Sequence, residues 1–165
     1  TAIGERSNFL SSRRNRLQVN VVNNIVNNEH NRQDISKVEE AYLQIADELD
    51  IEPLKLGYHP AELIFQDVIL KKNGATIYFL YGDNVVTLYE NKGSGNNSIG
   101  IDSDRNEEDR VYNQWLDMNI EYFSNPVENG EIEYEAMIIL EDSIYYFSGI
   151  LPEEEFVKII ESFYL

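Results

Sequence analysis

The sequence predicts an α+β domain: an antiparallel β-sheet laid out as a meander, with an N-terminal and a C-terminal helix packed on one face. Three observations predict it. Apolar side chains recur at helical spacing over residues 36–50, apolar and polar side chains alternate between turn signals over 62–148, and helical spacing returns over 152–163. A length of 165 residues suits one domain, and 42% apolar with 12% aromatic residues suffices for a core.

The first helix opens on Ser36 and Glu39, a capping-box pair in which each side chain can satisfy an orphan backbone N–H. Val38, Ala41, Tyr42, Ile45, Ala46 and Leu49 then form one apolar stripe, and Pro53 ends the segment. After the Gly57–Pro60 loop, a strand over 62–71 reaches Asn73-Gly74, a pair that favours a tight hairpin turn. Ala75–Tyr81 returns, Gly82-Asp83-Asn84 turns, and Val85–Glu90 follows before a Gly/Ser/Asn loop over 92–97. Leu116, Met118, Ile120 and Tyr122 alternate with Asp117, Asn119 and Glu121. Beyond Pro126 and Asn129-Gly130, Ile132, Tyr134, Ala136, Ile138 and Leu140 alternate with Glu131, Glu133 and Glu135. A period of two describes a sheet with one buried and one wet face. A last strand, 144–148, leads to a helix with Pro152 at its first position, three glutamates complementing its dipole, and Phe156, Ile159, Ile160 and Phe163 on its apolar stripe.

Charge divides the chain. Thirteen basic and 30 acidic residues give −17, with a pI near 4.3. Residues 1–32 hold five arginines against two acids, a net of +3, which leaves −20 for the remainder. We therefore read residues 1–33 as a basic, Asn-rich arm and 34–165 as the domain. So negative a body repels nucleic acid and anionic headgroups, so nucleic acid is not an expected partner. No apolar run reaches the roughly 18 residues needed to span a bilayer, so this chain is not expected to insert in a membrane. The chain opens Thr1-Ala2-Ile3-Gly4 without an initiator Met, from which we expect that a signal or anchor stood upstream.

Little in the chain points to catalysis. The absence of cysteine removes thiol nucleophiles, thiolate metal sites and iron–sulfur clusters. The two histidines, His30 and His59, lie at no metal spacing, no serine lies in a Gly-x-Ser-x-Gly elbow, and Gly93-Ser94-Gly95 lacks the lysine of a phosphate loop. No catalytic residue and no cofactor are expected. Asp102, Asp104 and Asn106 imitate the opening of a calcium loop, where alternate oxygens converge on a hard cation. The match fails at Glu107, where Gly is required, and at Asn113, where Glu is required, so a solvated acidic loop is the favoured reading. If 116–123 pairs with 131–140 around a turn near 127, Glu121 falls opposite Glu133. Such like charges invite a cation or a basic segment such as the arm, or are simply screened by water and salt.

The segments "EEAYLQIADELDIEPLKLGYHPAELIF", "YNQWLDMNIEYF" and "YYFSGILPEEEFVKIIESFYL" resemble bacterial membrane-anchored proteins carrying domain of unknown function 4367, over roughly residues 36–165. The resemblance implies an extracytoplasmic domain behind a single membrane helix. It also implies kinship with domains likened to lipoprotein-carrier folds, making a curved, carrier-like sheet the variant of the predicted fold. From it we expect a non-catalytic binding or sensory domain whose partner is an unidentified ligand or envelope protein, with a homo-oligomer through the arm as a further option. The alternative is a carboxylate-dependent hydrolase of the cell envelope, since paired carboxylates alone can cleave glycosides.

Overall fold

A computed structural model describes residues 36–93 and 107–165. The arm and the Asp102, Asp104 and Asn106 positions lie outside the described residues. Helix α1 covers 36–49. Seven strands follow: β1 Leu63–Lys71, β2 Gly74–Tyr81, β3 Asn84–Lys92, β4 Glu107–Asn113, β5 Met118–Pro126, β6 Ile132–Leu140 and β7 Ser143–Ile150. Helix α2, Glu153–Glu161, closes the domain. The strands form one antiparallel sheet in the order β1-β2-β3-β7-β6-β5-β4. This is the expected α+β architecture, with one strand the sequence reading missed. Glu107–Asp109, expected as acidic loop, begins β4.

The period-two pattern sends one row of side chains from each strand under the helices. Ile77, Leu88, Phe147 and Ala136 lie in register across β2, β3, β7 and β6, and all are buried. Helix α2 lays Phe156 over this row. Its ring stacks on Phe147 at 5.3 Å and packs against Tyr134 at 5.6 Å and Tyr122 at 5.8 Å. Burying one such ring contributes about 1.5–3 kcal/mol, before the aromatic pairs add their own geometry. Two phenols then fix the start of α2: Tyr122 donates to Glu153 at 2.8 Å and Tyr58 to Glu155 at 2.7 Å. Pro152 occupies the N-cap, one residue ahead of its expected place, because its carbonyl accepts the first N–H groups of the helix, those of Glu155 and Phe156. Helix α1 contributes Ala41, Tyr42 and Ile45 to the same core, while Ala46 of the expected stripe is exposed.

The expected juxtaposition of Glu121 and Glu133 is corrected by the β5–β6 register. The connection folds as a short 3₁₀ turn, Glu128–Gly130, with Asn129 at φ +66°, and the Val127 N–H closes it onto the Glu131 carbonyl. Pairing therefore starts at Pro126 and Ile132, two residues displaced from a turn centred on 127, so Glu133 faces Asn125. Glu121 instead faces Arg110 on β4, with an ion pair at 3.8 Å. Nor is the outer face uniformly wet. Glu135 there is only 6% exposed, its Oε2 accepting the Asn125 amide at 2.7 Å, and Ile144 is 1% exposed.

One core position breaks the apolar pattern. Glu90 stands between Ala75 and Tyr145 with 0% exposure; its Oε1 accepts the Leu54 N–H at 3.3 Å, and Oε2 has no partner among the described residues. Burial pushes this carboxyl up to about 8, with the Leu54 N–H opposing. The ionisable groups facing it are the Tyr42 and Tyr145 phenols, both also raised by burial. The folded state thus holds a proton that the unfolded chain loses near pH 4.5. Stability falls as pH rises from there through about 8, at roughly 1.4 kcal/mol per unit across the window. Glu90→Gln should flatten this dependence, so the melting temperature of the variant gains on wild type steadily from pH 5 to pH 8. Parallel curves in thermal denaturation would contradict the account of Glu90.

Candidate functional site

A groove of about 510 Å³ opens where the β4–β5 turn meets the end of α2, and lies within the usual size range of ligand sites. Three segments distant in sequence build it: Tyr58 from the loop before β1, Tyr112, Gln114 and Trp115 from the end of β4, and Lys158, Glu161 and Ser162 from α2. Trp115 is 65% exposed and Tyr112 53% exposed. Large rings left in water as neighbours around a concavity are the surface composition that recognition sites favour.

The two tyrosine rings are held by polar contacts of their own, and Trp115 by the turn that carries it. Tyr112 donates its phenol to Asp117 at 2.6 Å, within a turn that Asp117 enters with φ +52°. The Tyr58 phenol is spent on Glu155, and its ring carries the Lys158 ammonium 5.9 Å from the centroid. Behind Tyr58, the chain runs antiparallel to the C-terminal residues: Gly57 donates to the Ser162 carbonyl, and Lys55 and Tyr164 exchange two hydrogen bonds. A Cβ at Gly57 would lie 2.6 Å from that carbonyl oxygen, so only glycine permits the approach. The Ser162 hydroxyl accepts the Tyr58 N–H at 2.9 Å and donates to the Ile159 carbonyl at 2.7 Å. It is a structural hydroxyl.

Trp115 depends on Asn113. This amide is fully buried, and it uses both ends twice. Its Oδ1 accepts the Trp115 and Leu116 N–H groups, each at 2.8 Å, and its Nδ2 donates to the Ile160 and Phe163 carbonyls, each at 2.9 Å. The side chain therefore ties the turn beneath Trp115 to the orphan carbonyls at the end of α2, groups that need partners once buried.

Of the residues singled out from the sequence, Asp102, Asp104 and Asn106 lie outside the described residues, and Glu121 and Glu133 do not line this groove. Residues 107–113 form β4, and Asn113 faces α2. Glu121 is engaged by Arg110. Glu133 lies towards the opposite end of β5 from the groove, paired to Asn125, its carboxyl raised by burial and by neighbouring Glu135. Among the described residues no three His, Asp or Glu side chains converge as a metal site. His59 places its Nδ1 3.1 Å from the Pro60 carbonyl. All seven groove residues stand in the three segments whose resemblance was noted from the sequence, yet none of them was singled out as a site residue. The usable signal was the single tryptophan of the chain, placed in a turn two residues after an asparagine.

Asn113→Ala removes four hydrogen bonds, and of the groups it served only the Ile160 carbonyl keeps a backbone partner among the described residues. A loss of roughly 3 kcal/mol or more in chemical denaturation is expected, well beyond the range of a surface substitution. A loss below 1 kcal/mol would show that the turn and helix end do not depend on this amide.

No curated protein and no solved structure matches the chain. A family match covers residues 53–163, from the segment before β1 to the end of α2, and so includes every residue named in the groove. The chain accordingly belongs to the family described as domain of unknown function DUF4367.

Proposed function

We propose that this domain is a non-catalytic binding module, the extracytoplasmic part of a single-pass membrane protein, and that the groove around Trp115 is where it holds its ligand. One observation carries the reading: three aromatic rings face one concavity that contains no nucleophile–base pair, two of them fixed by phenol–carboxylate hydrogen bonds and the third, Trp115, carried on a turn held by Asn113. The groove offers Lys158, Glu161, Gln114 and the structurally engaged Ser162, a set suited to orienting a ligand. Preorganised rings lose little entropy on binding, which favours recognition by a shallow site. Support for the placement comes from the likeness of residues 36–165 to membrane-anchored proteins.

The hydrolase alternative draws no support from the groove. Of the described carboxyls raised by burial, Glu90 is sealed in the core and Glu133 stands towards the far end of β5. Neither can reach a molecule resting on Trp115.

Chemical-shift mapping of the labelled domain against solubilised cell-wall fragments, envelope lipid dispersions and mixed peptides tests this reading. Shifts should cluster on residues 112–116 and 158–162 and vanish in Trp115→Ala, whose melting temperature should match wild type because the side chain is exposed. Shifts confined to the outer sheet face, around 133–137, would remove the groove from consideration.

A further inference from the structure

We propose that the ligand of this groove is an uncharged carbohydrate chain, its sugar rings stacked on Trp115 and Tyr112. The inference deepens the binding reading and rests on it. Three features narrow the chemistry. The first is charge: a chain of net −17 repels anions, and the groove's lysine, Lys158, is already paired with Glu154 at 3.3 Å. The acids beside the rings are engaged as well, Asp117 and Glu155 by the Tyr112 and Tyr58 phenols, which leaves Glu161 as the carboxylate of the groove lining.

The second feature is the state of the phenols. Tyr112 and Tyr58 donate their O–H groups to Asp117 and Glu155, so they cannot donate to a ligand. They present ring faces. Proline-rich peptides in aromatic grooves are read partly through such donors to their carbonyls, and those donors are occupied here. Third, the backbone of the turn and of the loop is used up. Trp115 and Leu116 give their N–H groups to Asn113, and the stretch 55–57 pairs with 162–164, so neither the turn nor the loop offers a peptide a free edge, and strand addition at the groove is left only to the outer edge of β4.

What remains is a set of aromatic faces bordered by an amide, a carboxylate and an ammonium. A pyranose ring has the complementary structure. Its axial C–H groups form an apolar, slightly positive face that suits the negative face of an indole or phenol ring. Its equatorial hydroxyls both donate and accept, matching Gln114, Glu161 and Lys158 at the rim. The groove is open at the surface, as a chain passing through requires, and its two tyrosine rings are already fixed.

Trp115 is the single tryptophan of the chain, so its fluorescence reports on this site alone. The full chain should be titrated at millimolar concentrations with neutral cellohexaose, xylohexaose, chitohexaose and maltohexaose, beside hexaproline and hexalysine peptides. At least one oligosaccharide should shift the emission to the blue with saturation, and its affinity should be the same at low and high salt. Tyr112→Ala should weaken that binding about tenfold, while Tyr112→Phe, which keeps the ring but loses its tie to Asp117, should weaken it by clearly less. A shift with a peptide and with none of the four oligosaccharides overturns the carbohydrate assignment and leaves the groove as a binding site. Silence of Trp115 towards every probe, with envelope material mapping to another surface, overturns both.

Discussion

The amide of Asn113 sits where two structural needs meet. An α-helix ends with carbonyls that lack partners, and a tight turn begins with N–H groups that lack partners. Asn113 answers both with one side chain, fully buried between the end of β4 and the end of α2. Through it the C-terminal helix is locked to the edge of the sheet, and the turn that displays Trp115 inherits the rigidity of the core. The groove exists because of this tie. Without it Trp115 would be an aromatic ring on a loose loop, and ordering it on binding would cost entropy.

The sheet itself was largely legible. Wherever apolar residues alternate with charges, as in Ile132–Leu140, the period of two assigned both strand and face. Strand β4 escaped because Glu-Glu-Asp-Arg-Val-Tyr-Asn offers a single aliphatic residue, Val111, and an edge strand is kept polar to discourage pairing with other chains. Register escaped for a different reason. Asn129-Gly130 marks a turn, but the sequence does not say that Glu128–Gly130 coils into a 3₁₀ turn, and that shift alone parts Glu121 from Glu133. Glu90 likewise reads as a polar strand residue, and its burial follows only from where β7 and the 51–54 segment pack against it.

The site was far less legible, since its parts come from residues 58, 112–115 and 158–162, and no periodicity links them. Tyrosine in a strand reads as sheet packing, which holds for Tyr122 and Tyr134 but not for Tyr112. The acidic residues that attracted attention by their density turn out to serve local needs: Asp117 holds a phenol, Glu155 another, and Glu121 an arginine. In a domain this acidic, carboxylate density carries little information about binding. Aromatic exposure carries more, and only the fold reveals it.

The central claim is that Asn113 makes the display of Trp115 rigid, and amide hydrogen exchange reads this directly. The Trp115 and Leu116 N–H groups lie in a surface turn, where exchange is ordinarily fast. If both donate to a buried amide, their protection should approach that of the central strands β3 and β7, although the Trp115 side chain stands in solvent. Exchange of these two amides at the rate of an unstructured loop, with β3 and β7 still protected, would contradict the account.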